Sequence, residues 1–131
     1  MEIEILGAHS VEIANAKPPA LVIDRVLALD AGSLCSSLSL PAQQRLKAVL
    51  LSHYHYDHIR DIPMLAMNLS YQGTLEVYSI PPVFDILSSY LLDGKMYPNF
   101  LKWPEQQPAI KFISIEPVSY THLTLPTNRE V

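Results

Sequence analysis

The feature that most constrains this chain is a short apolar strand that leads directly into a cluster of histidines. Residues 47–53 read KAVLLSH, and a short, largely apolar run of this kind is typical of a strand buried on both faces of a sheet. Residues 59–70 then place apolar side chains at helical spacing. Three histidines and one aspartate lie within residues 53–58, where the two segments meet. The sequence therefore predicts a strand, a polar junction and a helix in immediate succession.

The rest of the chain alternates between the same two kinds of element. Segments with alternating or continuous β-branched and apolar residues predict strands, and segments that start near Pro and keep helical spacing predict helices. The predicted strands are residues 2–6, 20–24, 26–32, 75–80 and 109–117, and the further predicted helices are residues 37–48 and 81–94. Strands interleaved with helices favour a layered α/β architecture.

The composition excludes several classes of protein. The chain has 131 residues, of which 49% are hydrophobic and 17% charged, with a formal net charge of −4. This fits one folded domain and argues against a nucleic-acid-binding surface that follows phosphates. The one cysteine, Cys35, excludes an internal disulfide and a cysteine-rich zinc site. Because the chain has no basic leader and no long apolar run, we expect a soluble cytoplasmic domain that does not enter membranes.

The end of the chain reads differently from everything before it. Residues 118–131 are VSYTHLTLPTNREV, and a DNA string that would encode residues 118–127 resembles the transposase end and adapter of sequencing libraries. After a barcode over residues 128–130, the next adapter bases would give Val131 and a stop codon. A Thr-rich edge strand is the alternative interpretation. We therefore expect residues 1–117 to form a partial domain and residues 118–131 to be a non-native, adapter-encoded tail. His122 is accordingly not expected to be a ligand.

The residue types at the junction indicate metal binding. His53 and His55 are two positions apart at the end of the predicted strand, so their side chains are expected on one face. Asp57 and His58 follow where the chain enters the helix, and they can turn toward a second point nearby. Imidazole nitrogens and carboxylate oxygens suit zinc and neighbouring divalent metals. The alternative interpretation is a surface loop that happens to contain histidines.

Residues 52–58, SHYHYDH, resemble the HxHxDH motif of the metallo-β-lactamase superfamily. The context is also similar, with a buried strand before the motif, a helix after it, and an earlier strand that ends in Asp30-Ala31-Gly32. The resemblance covers residues 1–117. It implies that the chain is the N-terminal half of an αββα sandwich, in which two sheets pack together between outer helices.

The resemblance also implies a site with two divalent metal ions, zinc in the first instance, with manganese or iron as alternatives. His53 and His55 would bind the first ion. Asp57 and His58 would bind the second, and Asp57 would also act in catalysis by orienting the hydroxide between them. Asp30 would hydrogen-bond the ligand loop, although an aspartate that merely ends a strand is the alternative. The remaining ligands of the family would lie beyond residue 117.

Three further segments are similar to the branch that contains ribonuclease Z and the class II cyclic-nucleotide phosphodiesterases. They are residues 2–10 (EIEILGAHS), residues 58–63 (HIRDIP, close to HxxGLP) and residues 91–100 (LLDGKMYPNF). The likeness is partial, because the class II signature has Leu at the position of Tyr56 and Gly or Ser at the position of Asp61. It implies a metal-dependent hydrolase that cleaves a small phosphodiester such as a cyclic nucleotide. The alternatives are a thioester or lactone hydrolase and a metal-binding fragment without catalysis.

Three further expectations concern how side chains and the sheet pack. Tyr97, Phe100 and Trp103 could form a flat wall for a purine ring, but core packing is the favoured interpretation. Arg60-Asp61 is expected to be an exposed first helical turn rather than part of a pocket rim. A half-sandwich would leave one apolar face of its sheet uncovered, so we expect the chain alone to be insoluble or molten.

Overall fold

The structure is a computed structural model that describes residues 1–116. The predicted tail, residues 118–131 with His122, lies outside the described residues.

One six-stranded sheet organises the described part of the chain, and its strands are adjacent in the order in which they occur in the sequence. The first three strands are antiparallel, and each strand from the third to the sixth runs parallel to its neighbour. The strands are β1 (Ile3–Gly7), β2 (Ala20–Ile23), β3 (Leu27–Leu29), β4 (Ala48–Leu50), β5 (Leu75–Ser79) and β6 (Ile110–Ser114). These six strands confirm the predicted ones, with bounds that differ by a few residues.

The helices lie in the connections between the parallel strands. They are α1 (Leu34–Ser37), α2 (Leu40–Gln44), α3 (Tyr56–Ile59), α4 (Ile62–Leu69) and α5 (Pro81–Ile86), and α5 continues into a π-helical turn, Leu87–Leu91. Connections between parallel strands are right-handed, so successive crossovers in one direction place their helices on one face of the sheet. The mixed α/β class predicted from the sequence is confirmed.

The helix predicted over residues 37–48 is shorter in the structure. Its residues form only the last residue of α1 and the whole of α2, because Ser39 accepts a hydrogen bond from Ala42 N at 3.3 Å and starts a new helix there. Pro41 occupies the first turn of α2, where its missing N–H costs nothing. No described helix is long and apolar enough to cross a membrane.

The core lies between the helices and one face of the sheet. Val22, Ala28, Val49 and Val77 are neighbours in register across four strands, and each is at most 3% exposed. Buried side chains of the helices complete the same cluster. This face has the alternation expected of a sheet covered on that side.

The opposite face of the sheet carries a second apolar row. Ile5, Leu21, Leu29, Leu50, Tyr78 and Ile113 are neighbours in register across all six strands. All six are partly or largely exposed, and Ile5 is 70% exposed. Within residues 1–116, therefore, one face of the sheet is packed and the other is an accessible apolar surface, as expected of half a sandwich.

Candidate functional site

The predicted site residues collect at one edge of the sheet. Asp30 directly follows β3, and Ser52 and His53 follow β4 after one further residue. Because β3 and β4 are parallel neighbours, their carboxyl ends meet at the same edge, which is where ligands bind in open α/β sheets. The order of the strands thus brings together two segments that are more than twenty positions apart in the sequence.

The three histidine rings of the motif are in contact, although not for the reason that the sequence suggested. The strand ends at Leu50, so His53 lies in the loop and His55 immediately precedes α3. The ring centroids of His53 and His55 are 4.8 Å apart, and those of His53 and His58 are 4.0 Å apart. The prediction that His53 and His55 share a strand face was wrong, and the loop and first helical turn bring the rings together instead.

β4 is shorter than predicted because the side chain of Asp30 replaces a partner strand. Ser52 N donates to Oδ1 of Asp30 at 2.8 Å, so the ladder stops at this point. Asp30 itself is in the left-handed region with φ of 62°, a conformation that Asp and Asn tolerate better than other residues with side chains. The residue is 8% exposed.

Asp30 also binds the helix that carries the end of the motif. Its Oδ2 lies 2.9 Å from Nδ1 of His58. A carboxylate can only accept, so His58 must donate its Nδ1–H, and Nε2 is the ring nitrogen left with a lone pair. That Nε2 lies 3.5 Å from Oδ2 of Asp57. The free nitrogen of His58 and the carboxylate of Asp57 therefore lie close together.

Backbone contacts fix the motif against the segment after β3. Ala31 N donates to His58 O at 2.7 Å, and Asp61 N donates to Ala31 O at 2.9 Å. Gly32 lies so close to the carbonyl oxygen of Asp57 that a Cβ at this position would collide with it. The ligand-bearing turn is thus held by main-chain atoms as well as by Asp30.

The donor set fits a divalent metal in its chemistry, but the described residues supply an incomplete coordination sphere. Imidazoles whose Nδ1–H is bound to a carboxylate are a common arrangement of metal ligands, and His58 has this arrangement. Among residues 1–116, no group of three or more His, Cys, Asp or Glu side chains is placed to hold an ion. His53, His55, Asp57 and His58 remain the predicted ligands.

The expectation that Asp61 lies in an exposed first helical turn was wrong. Asp61 is 9% exposed, and its Oδ2 accepts a hydrogen bond from Cys35 N at 3.0 Å, at the start of α1. Burial raises the pKa of Asp61, with the Cys35 N–H and Arg60 acting in the opposite direction. Burial and the neighbouring Asp61 also raise the pKa of the Cys35 thiol to about 12, so Cys35 is not a nucleophile at neutral pH.

The aromatic residues considered for a purine wall do not form one. Phe100 is fully buried in the core, as the favoured interpretation expected. Trp103 packs edge-to-face on Tyr71, with ring centroids 5.6 Å apart. Trp103 O accepts from Ala109 N, which precedes β6. Trp103 therefore lies near the amino ends of the parallel strands, whereas the histidines lie at the carboxyl ends.

Sequence reasoning did not single out Ser52, which lies in contact with two of the predicted site residues. Its hydroxyl lies within 3.0 Å of both Asp30 and His53. The only available signal was its position directly before the first histidine, which by itself does not distinguish it from any other strand-end serine.

Comparisons with known proteins agree with this fold. Residues 22–127 match the family model described as the beta-lactamase superfamily domain. The metallo-beta-lactamase fold protein YhfI from Bacillus subtilis superimposes with a TM-score of 0.65 at 24% identity, covering 89% of this chain and 46% of that chain. No match was found among curated proteins.

Two further solved structures share the fold. Unliganded yeast PDE1 has a TM-score of 0.66 at 14% identity, covering 88% of this chain and 50% of that chain. The short form of human tRNase Z (ELAC1) has a TM-score of 0.59 at 17% identity, covering 91% of this chain and 47% of that chain. The chain thus spans about half the length of these structures, which confirms the fold predicted as one half of a larger sandwich.

Proposed function

The chain belongs to the beta-lactamase superfamily. On that premise, we propose that the protein is a metal-dependent hydrolase with a site for two metal ions. The proposed substrate is a small phosphodiester such as a cyclic nucleotide. The observation that carries the proposal is the hydrogen bond from His58 Nδ1 to Asp30 Oδ2 at 2.9 Å. It leaves Nε2 of His58 free beside Asp57, at the edge of the sheet where ligands bind.

His53 and His55 are proposed to hold one ion, and Asp57 and His58 the other. The contacts between the rings of His53, His55 and His58 support the closeness of the two positions. When bound, the two ions would supply a water activated at neutral pH and positive charge opposite the phosphoryl oxygens. Asp57 would orient the attacking oxygen. Zinc is the proposed metal, with manganese and iron as alternatives.

A phosphodiester is favoured over a carbon ester by the similarity to the ribonuclease Z and cyclic-nucleotide phosphodiesterase branch. One of the solved structures with this fold is a tRNase Z. The net charge of −4 and the absence of a basic run support a small substrate rather than a polynucleotide. We place the protein in the cytoplasm, because the reducing conditions there keep a single cysteine as a free thiol.

The test uses the intact protein loaded with Zn²⁺ or Mn²⁺. We expect it to hydrolyse bis(p-nitrophenyl) phosphate and a cyclic nucleotide, with elemental analysis giving two metals per chain. His55→Ala should abolish turnover, and His9→Ala should not, because His9 is an exposed histidine in the loop after β1.

Three results would overturn parts of the proposal. Turnover of lactones or acyl-glutathione alone would exclude the phosphodiester substrate. Cleavage of RNA with no activity on small diesters would exclude a small substrate. No turnover with any divalent metal would exclude the hydrolase.

A further inference from the structure

The hydroxyl of Ser52 lies between a carboxylate and a predicted ligand. Its Oγ is 2.9 Å from Oδ1 and 2.8 Å from Oδ2 of Asp30, and 3.0 Å from Nδ1 of His53. The backbone N–H of Ser52 binds the same carboxylate independently at 2.8 Å. The hydroxyl therefore has a contact with His53 that the backbone does not provide.

The number of protons that Ser52, Asp30 and His53 carry determines which group donates in each of these hydrogen bonds. A serine hydroxyl has one proton to donate, whereas an ionised carboxylate has none. The hydroxyl of Ser52 therefore donates its proton to the carboxylate of Asp30, since a charged acceptor makes the stronger hydrogen bond. The oxygen of Ser52 can then only accept from His53, so the proton of the His53 ring must be on Nδ1.

We propose that Ser52 is a positioning residue that holds His53 with its proton on Nδ1 and leaves Nε2 as the free ligand atom. Asp30 then determines which ring nitrogen carries the proton in two histidines, in His58 directly and in His53 through Ser52. The role of Nε2 in metal binding rests on the proposed function, whereas the location of the ring proton does not.

Substitution of Ser52 separates this role from a purely structural one. Ser52→Ala removes the hydroxyl but keeps the backbone N–H that binds Asp30 and ends β4. Ser52→Thr restores a hydroxyl at the same position. Ser88→Ala is the matched control, because the Ser88 hydroxyl donates to a backbone carbonyl on α5, that of Asp85.

The first measurement is ¹⁵N NMR of the histidine rings in the intact, metal-free protein at a pH where the rings are neutral. We expect His53 to carry its proton on Nδ1 in the parent protein, in Ser52→Thr and in Ser88→Ala. In Ser52→Ala we expect a substantial population with the proton on Nε2. The second measurement is Zn²⁺ affinity by chelator competition, which should fall about tenfold in Ser52→Ala, as for other residues that hold a ligand in place, and recover in Ser52→Thr.

The two measurements distinguish failure of this inference from failure of the proposed function. The same His53 ring proton in the parent and in Ser52→Ala would overturn the role of Ser52, whatever the metal affinity. A shifted ring proton in a protein that binds no metal would support the role of Ser52 and overturn the proposed metal-dependent hydrolase.

Discussion

The Nδ1 atom of His58 lies 2.9 Å from Oδ2 of Asp30, a contact between residues 28 positions apart. Asp30 follows β3, and His58 lies in α3, so the contact joins the end of a strand to the helix that carries the second half of the motif. The same carboxylate binds the backbone and hydroxyl of Ser52. One buried side chain therefore contacts His58 at one end of the histidine cluster and Ser52, next to His53, at the other.

Removing the charge of Asp30 should weaken metal binding. Asp30→Asn keeps a residue that tolerates the φ of 62° at this position, so the effect reports the carboxylate rather than the backbone. We expect Zn²⁺ affinity of the intact protein to fall 10- to 100-fold, on the order seen for partners of metal-binding histidines. Chelator competition measures it.

The control for this substitution is Asp85→Asn, which removes the charge of an exposed aspartate on α5. It should leave the affinity unchanged. Equal affinities for the parent protein and Asp30→Asn would show that the contact with His58 does not orient a ligand.

A methyl group at Gly32 should disturb the motif. Gly32→Ala would place a Cβ against the carbonyl oxygen of Asp57, so the turn that carries the ligands must move. We expect a loss of about 1–3 kcal/mol in the free energy of unfolding, as for other overpacked sites, together with weaker Zn²⁺ binding. Urea denaturation and chelator competition measure the two effects.

Gly7→Ala separates the two effects of Gly32→Ala. A Cβ at Gly7 would collide with the backbone of Lys17 and Pro18 instead. It should therefore destabilise the fold while leaving the metal affinity of the folded protein intact. If both variants change the affinity equally, the proximity of Gly32 to Asp57 has no particular effect on the site.

Burial of Asp61 should make the contribution of this residue to stability fall as the pH rises above the ordinary pKa of the carboxyl. Burial raises the pKa of this carboxyl above its ordinary value of 3.8, Glu12 adds to the rise, and the Cys35 N–H and Arg60 partly offset it. Between the ordinary value and the raised value, the unfolded chain binds fewer protons than the folded one. The contribution of Asp61 to the free energy of unfolding therefore falls across this interval and is constant above it.

The variant Asp61→Asn tests this expectation, because it cannot ionise but keeps an oxygen for Cys35 N. Its stability relative to the parent protein should rise as the pH increases through the interval. Urea denaturation at several pH values measures this, with Asp85→Asn as the control. A constant difference between Asp61→Asn and the parent protein would contradict the raised pKa.

The exposed apolar row of the sheet should make the 131-residue chain prone to aggregation by itself. Leu21, Leu29 and Leu50 are adjacent on this face and only partly buried. We expect the isolated chain to bind 8-anilinonaphthalene-1-sulfonate and to lack a sharp thermal transition. Ile5→Lys should reduce aggregation, because Ile5 is 70% exposed on the edge strand β1. A soluble chain with a sharp, reversible transition would contradict this expectation.

Local sequence patterns were sufficient for the strands and for the position of the histidine cluster. Residues 47–53 predicted a buried strand because an unbroken apolar run suits a strand with neighbours on both sides, and β4 lies between β3 and β5. The cluster after this run predicted a polar site at the edge of the sheet, which is where His53, His55 and His58 lie.

Contacts between distant segments were decided only by the tertiary structure. The pairing of β3 with β4 places Asp30 beside Ser52, and the turn after His55 carries His58 onto the same carboxylate. The burial of Asp61 likewise depends on the position of α1. Periodicity along the chain reports which side of an element faces the core, because it reflects the local repeat of helix and strand. It carries no information on which residue of another element stands opposite, since that depends on strand order and register.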